Sequence, residues 1–383
     1  MNLVFVSGGG GTRDLARALA KRAPKTAYVI GGTDDGGHTR YVRRLFPQIP
    51  GIGDWRARCL DLADDNPAAT LARYRFSSVK LQQELETELR AIISGEQPLA
   101  QAVEEGSKKE ELLQALASFD VQRHSAAAQL GTPFPLQGGS LGNILLTGEI
   151  LLNGGAVRPG LSRFANLVGA RDAVIPATLG NYHLQTTMAD GRTLTGQVWF
   201  SAKDPEYLKN NTVKIRGISY RTFDYDSAGQ PQNVRPATPE LNPEVREAIA
   251  SANAIVFAMG SFYMSIVSVL MIPGFGACVR ESQAPKIMIG NPTYEPETFG
   301  LTAARMARIV IESLRSSDTS SGPDSAYLSQ LLFHNSSTGE PNRIPLGKRD
   351  LLVGIEVQTL PLLNAAGKYD SEMLAEKLVS FVV

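Results

Sequence analysis

The chain is predicted to be an α/β protein with a mostly parallel sheet, helices on both faces and a helical insertion. Three features predict it. Short apolar runs alternate with amphipathic stretches, and four of these runs end in glycine accompanied by Ser, Thr or Asn. The runs are also continuously hydrophobic, as strands buried on both faces are. The expected architecture is a three-layer, Rossmann-like αβα fold, whose ligands bind at the carboxyl ends of the strands.

The elements follow in order. Leu3-Val4-Phe5-Val6 enters Ser7-Gly8-Gly9-Gly10-Gly11-Thr12, then Leu15, Ala18 and Leu19 recur at helical spacing. A second run, Ala27 to Ile30, ends in Gly31-Gly32-Thr33-Asp34-Asp35-Gly36-Gly37, which completes a βαβ opening. Turns around Pro47, Pro50-Gly51 and Gly53-Asp54 precede a helical stretch through Cys59, Leu60 and Leu62. Leu81, Leu85, Leu89 and Ile92 mark one amphipathic helix, and Leu112, Leu113 and Leu116 another, so 77–136 reads as a helical insertion or lid. The α/β pattern returns at Gly138-Gly139-Ser140-Leu141-Gly142-Asn143, followed by Ile144-Leu145-Leu146, and again at Ala173 to Thr178. Leu184 to Ser201 alternates around Asp190-Gly191 as a hairpin. Residues 204–240 and 316–345 are turn-rich and read as irregular loops. Asn242-Pro243 starts a helix, Ile255 to Ala258 enters Gly260-Ser261, and Ile287-Met288-Ile289 enters Gly290-Asn291. A last strand and helix complete one domain over 1–383.

Charge and composition exclude several classes. Lys plus Arg and Asp plus Glu both number 38, so no net field draws the chain to nucleic acid or to an anionic membrane. Cys59 and Cys278 form neither a disulfide framework nor a zinc motif, which suits a reducing compartment. No secretory signal is visible, and the expected location is cytoplasmic. Ala248 to Val279 carries no charge and is long enough for a bilayer, but Gly260-Ser261 and Pro273-Gly274 divide it into a buried strand, a loop and a buried helix. Homo-oligomerisation stays open.

The glycine turns carry the chemistry. Gly9, Gly10, Gly11 and Thr12 let backbone N–H groups approach an anion, most naturally phosphate. A dinucleotide fingerprint fails, because the third glycine position holds Arg13 or Leu15, and no lysine completes a Walker loop. This disfavours an NAD-dependent oxidoreductase; a tight turn without ligand is the plain alternative. Asp34 and Asp35, followed by Gly36 and Gly37, are placed to hold Mg²⁺ or accept a proton from a hydroxyl, or else are a solvated turn. Asp54 with Arg56 and Arg58 could position phosphate through a guanidinium fork. Asn143, after Gly142, either caps a helix or binds a ligand. Ser261, Tyr263 and Ser265 place hydroxyls at a strand end, and His38 reads as a solvated turn residue beside the carboxylates. No histidine sits in a serine-triad pattern.

An ordered set of segments resembles the CofD-like superfamily, which contains 2-phospho-L-lactate transferase and a bacterial gluconeogenesis factor that binds a nucleotide sugar. These are Gly9-Gly10-Gly11-Thr12, Asp34-Asp35-Gly36-Gly37, Gly53-Asp54 with Arg56, Arg73-Tyr74-Arg75-Phe76, Ser140 to Leu146, Gly260-Ser261-Phe262-Tyr263-Met264-Ser265, and Asn291 through Glu297-Thr298. The resemblance covers about Leu3 to Gly300. It implies transfer of a phosphate-linked group from a nucleoside diphosphate donor to a hydroxyl acceptor, with Mg²⁺ assisting. Gly10, Gly11 and Thr12 would line the phosphates, Asp34 or Asp35 would serve metal or acceptor, and Asn143, Gly260-Ser261 and Asn291 would contact the nucleotide. Arg13, His38-Thr39-Arg40, Met259 and Thr293-Tyr294-Glu295 depart from the pattern and make the loops bulkier and more basic. A non-catalytic nucleotide-sugar sensor is the second reading the resemblance implies.

Overall fold

A computed structural model describes residues 1–196, 214–226, 230–334, 343–365 and 367–382. Strand β1 (Leu3–Val6), helix α1 (Arg13–Arg22) and strand β2 (Ala27–Ile30) form the expected βαβ unit, with β1 and β2 parallel. Helix α1 buries Leu15, Ala16, Ala18 and Leu19 along one stripe. Helices α2 (Thr39–Leu45), α3 (Gly53–Leu62) and α4 (Pro67–Arg73) follow, the last capped by Asn66, whose side chain accepts the Ala69 N–H.

The expected helical segment forms α5 (Gln82–Ile93), α6 (Pro98–Gln101) and α7 (Ser107–Leu130). Helix α7 buries Leu112, Ala115, Leu116 and Phe119 and lies along α8 (Leu141–Leu152). The segment is therefore docked into the core. Helix α9 (Val157–Leu167) leads into β3 (Val174–Pro176).

Beyond β3 the structure departs from the sequence reading. β4 (His183–Met188) and β5 (Thr193–Thr195) pair as the expected hairpin; its further residues, 197–201, lie outside the described set. Yet 204–240, read as an irregular loop, contains β6 (Ile215–Tyr225) and β7 (Pro231–Pro236). These complete a second, antiparallel sheet of order β5-β4-β6-β7. Its alternation was obscured by register shifts at Thr187/Met188 and at Thr222/Asp224, each of which moves later side chains to the other face.

The chain then rejoins the main sheet. Helix α10 (Pro243–Ala250) is capped by Asn242, and β8 (Ala254–Phe257) leads to α11, a π-helix over Phe262–Val267 that continues as α over Ser268–Leu270. Helix α12 (Phe275–Glu281), β9 (Lys286–Ile289), α13 (Ala303–Ser316), β10 (Gln330–His334), β11 (Glu356–Leu360) and α14 (Ser371–Ser380) complete it. Strand β10 lies inside 316–345, the second expected loop. Its buried Leu331-Leu332-Phe333 is too short an apolar run to stand out between Ser-, Asn- and Gly-rich flanks. Among the described residues no single helix is long and apolar enough to cross a membrane; the apolar run bends by 72° between α11 and α12.

The main sheet has seven strands in the order β11-β10-β9-β8-β1-β2-β3, and every neighbouring pair is parallel. From β1 the chain builds outward through β2 and β3, then returns to the other side of β1 at β8. The direction of winding reverses between β1 and β8, so their carboxyl ends, Ser7 to Thr12 and Gly260-Ser261, flank the crevice where ligands bind in such sheets.

Candidate functional site

The first glycine turn is held from below. The Arg58 guanidinium, fully buried, donates to the carbonyls of Gly8 (2.8 Å) and Gly9 (3.2 Å) and to Thr12 Oγ1. Arg58 is thus the brace of the turn, and the guanidinium fork expected on a ligand is spent on backbone. Gly10 and Gly11 remain exposed. Arg13 pairs with Asp61 at 3.0 Å, so the bulkier residue that departs from the family pattern turns away from the crevice. A Cβ on Gly9 would meet Asp54 Oδ1 at 2.5 Å, so only glycine lets the turn approach this carboxylate, which accepts the Gly9 N–H.

The structure divides the expected Asp34–Asp35 pair. Asp34 accepts hydrogen bonds from Thr39 Oγ1 (3.0 Å) and the Gly36 N–H (3.1 Å), and its carboxylate lies against Gly53, the residue before Asp54. The carboxylate that meets the first glycine turn is Asp54, and the Asp34 charge acts on it. Burial pushes Asp54 up to about 6, and the Asp34 charge adds to the rise; burial likewise raises Asp34, with the Asp35 charge adding to it. Asp35 instead lies buried with Oδ2 4.0 Å from His183 Nδ1, against the antiparallel sheet. The glycines Gly36 and Gly37 turn the chain into α2, where the buried Arg43 bonds the carbonyls of Thr33 and Asp34 on one side and Asn181 and Tyr182 on the other. His38 is no solvated turn residue. It is buried, its Nε2 pairs with the Pro135 carbonyl, and burial pushes it down to about 4, leaving a neutral imidazole at pH 7.

A polar relay links this centre to α8. Asn143 is buried in the first turn of α8 rather than capping it; its Oδ1 accepts from Arg56 Nε (3.0 Å) and its Nδ2 reaches Thr39 Oγ1 (3.4 Å). Arg56, Asn143, Thr39 and Asp34 therefore form one chain of contacts. Gly142 is required here, since a Cβ would meet the Ala72 carbonyl at 2.5 Å and Arg56 Cδ at 2.9 Å.

Across the crevice the arrangement differs. Glu297 Oε2 accepts the N–H groups of Tyr263 (2.7 Å) and Met264 (3.0 Å), and the Ser261 hydroxyl also bonds this carboxylate. Glu295 accepts the Phe262 N–H and, at 2.9 Å, the Asn291 amide; Asn291 also bonds the Gly260 carbonyl. Burial and the neighbouring Glu297 push Glu295 up to about 8. Asn291 and Ser261 are thus cross-braces of the second rim. On the far face of α11 a cavity of about 710 Å³ is lined by Tyr263, Val267, Met271, Ile309 and the cations Lys214 and Arg305.

Thr39, Arg43, His183, Ser140 and Glu295 act at or beside the site without having been singled out for it. Thr39 and Glu295 stood only among the departures from the family pattern, and nothing local marks Arg43 or His183, whose partners Asn181 and Asp35 lie more than 130 residues away in sequence.

Comparison with known proteins agrees with the fold and the motifs. The family model described as 2-phospho-L-lactate transferase CofD matches residues 3–344. A putative gluconeogenesis factor of Aquifex aeolicus is 22% identical over 100% of this chain and 97% of its own length. One from Nostoc is 24% identical over 91% of this chain and 58% of its own length, and an uncharacterized protein of Saccharomyces cerevisiae is 22% identical over 82% and 83%. A crystal structure of a UPF0052 family member from Bacillus halodurans superposes with a TM-score of 0.68 at 21% identity, covering 99% of this chain and 98% of that one. With a family match across nearly the whole chain and the family's segments gathered at one crevice, the chain belongs to the CofD family.

Proposed function

We propose that this chain is a transferase of the 2-phospho-L-lactate transferase type, moving a phosphate-linked group from a nucleoside diphosphate donor to a hydroxyl acceptor. The observation that supports it is the Asp34–Asp54 pair beside the exposed Gly10-Gly11 backbone. The Asp34 charge raises the affinity of Asp54 for a proton, and two carboxylates so placed are a natural seat for a divalent cation, which relieves that repulsion. On this reading the metal sits at Asp34 and Asp54 rather than at Asp34 and Asp35. Mg²⁺ bound there would neutralise charge on the diphosphate. The chain's own part is positioning: the glycine turn seats a phosphate on backbone donors, Arg58 keeps that turn rigid, and Thr39 and the Gly36 N–H fix the Asp34 carboxylate. The second reading, a nucleotide-sugar-binding regulator, is favoured by the relatives named gluconeogenesis factor.

Calorimetric titration with GDP and UDP, with and without Mg²⁺ at pH 7.5, tests both. Mg²⁺ is expected to tighten one nucleotide at least tenfold, Asp34→Asn and Asp54→Asn to abolish that gain, and Asp35→Asn to keep it. Binding that is indifferent to Mg²⁺ and to both substitutions would turn the assignment to the regulator; no nucleotide binding at all would end both.

A further inference from the structure

The start of α8 is built unlike an ordinary helix start. Its N-cap, Ser140, is 1% exposed, yet the hydroxyl caps no helix N–H and Oγ has no hydrogen-bond partner. A buried, unpaired hydroxyl at an N-cap is unusual, because it forgoes both its own bond and one that the helix needs. The first turn carries no acidic residue, and among the described residues the Gly142 N–H meets no acceptor. Two cations flank this end. Arg56 crosses Gly142 and commits only Nε, to Asn143. Arg75 stands opposite Ser140 across an isolated antiparallel bridge, which puts the two side chains on one face, and its own bond to the Gly138 carbonyl is long at 3.4 Å. A free hydroxyl, a free N–H, the exposed Arg75 and the positive end of a twelve-residue helix meet where the first turn of α8 offers no acidic side chain.

The geometry points to a second phosphate seat at the start of α8, formed by Ser140, Gly142, Arg56 and Arg75. The relay from Arg56 through Asn143 and Thr39 to Asp34 puts this seat on the α8 side of the carboxylate pair, whereas the first glycine turn meets the pair through the Gly9–Asp54 contact. A ligand spanning both seats carries an anionic group on each side of Asp34 and Asp54. Naming that ligand rests on the transferase reading above; the seat itself does not. The added group is either the far phosphate of the donor or a phosphate on the acceptor, and the guanidinium pair recognises both alike.

Inorganic phosphate is the probe, titrated calorimetrically into the intact chain with and without the nucleoside diphosphate that binds best. Wild-type protein should take up phosphate, and Arg75→Gln and Ser140→Ala should weaken uptake at the second seat about tenfold and threefold, while Gly10→Val should remove only the uptake seated on the first turn. Arg75-dependent phosphate binding alongside the nucleotide assigns the seat to the acceptor; Arg75-dependent binding in competition with it assigns the seat to the donor. No phosphate uptake at millimolar concentration, or uptake that Gly10→Val removes and Arg75→Gln spares, overturns the second seat while leaving the first turn intact. Phosphate uptake that depends on Arg75 in a chain that binds no nucleotide would instead keep the seat and sink the transferase reading. Circular dichroism of each variant, unchanged from wild type, guards against misfolding.

Discussion

Two helix starts face the crevice, and they are satisfied in opposite ways. At α11 the chain supplies its own acceptors: the carboxyl groups of Glu297 and Glu295 occupy the N–H groups of Phe262, Tyr263 and Met264. At α8 the Leu141 N–H donates to the Tyr74 carbonyl, but no acidic side chain enters the first turn, the Gly142 N–H meets no acceptor among the described residues, and Ser140 Oγ stays unpaired near Arg56 and Arg75. The difference separates architecture from chemistry. A donor set that is already filled fixes a rim; one that is left empty receives a ligand.

The largest effect should fall on the filled side. Glu297→Ala strips two buried N–H groups of their acceptor, and denaturant unfolding is expected to show a loss of about 2–6 kcal/mol, at about 1–3 kcal/mol for each orphaned group. A loss below about 1 kcal/mol would mean that water replaces the carboxylate and that the contrast is weaker than described.

The carboxylate pair should show an intermediate effect of opposite sign. The Asp54 carboxyl has an ordinary value of 3.8 and is held up at about 6 in the fold, chiefly by burial and then by Asp34. The folded state therefore keeps its proton to higher pH, and this group's contribution to stability falls as pH rises from about 4 to about 6. Asp54→Asn removes the charge and keeps an acceptor for the Gly9 N–H. At pH 7.5 it should be more stable than wild type by about 1 kcal/mol, an advantage that fades by about pH 4. Thermal unfolding across this range checks it; a variant less stable at pH 7.5 would show that the ionised carboxylate supports the fold and has no cost for a cation to relieve.

The smallest effect belongs to the empty side. Ser140→Ala removes a hydroxyl that bonds nothing, so stability should change by less than about 0.5 kcal/mol, against about 1 kcal/mol for an ordinary N-cap. A full capping loss would show that Ser140 serves the helix, and the two starts would then be alike.

Most of the main sheet was legible because a strand buried on both faces carries its evidence locally, as Leu3–Val6 and Ala254–Phe257 do. Strand β6 was not, since it carries an extra residue, Arg216, opposite the Thr187/Met188 step of β4, which breaks its alternation. The site divides similarly. The glycine turns and the acidic residues announced an anion site by type and position, but Asp34 and Asp35 are neighbours in sequence and face different elements in space.

By itself the sequence determined the parallel α/β framework, the places where strands end in glycine, and the presence of carboxylates and arginines around them. Those follow from hydrophobic periodicity and from glycine's freedom of approach, both local properties. Which carboxylate joins which, and which helix start is left open, only the tertiary structure decided. Hydrogen bonding and charge repulsion act over a few ångströms, and only folding brings Asp54 to Asp34, Glu297 to Tyr263 and Arg75 to Ser140.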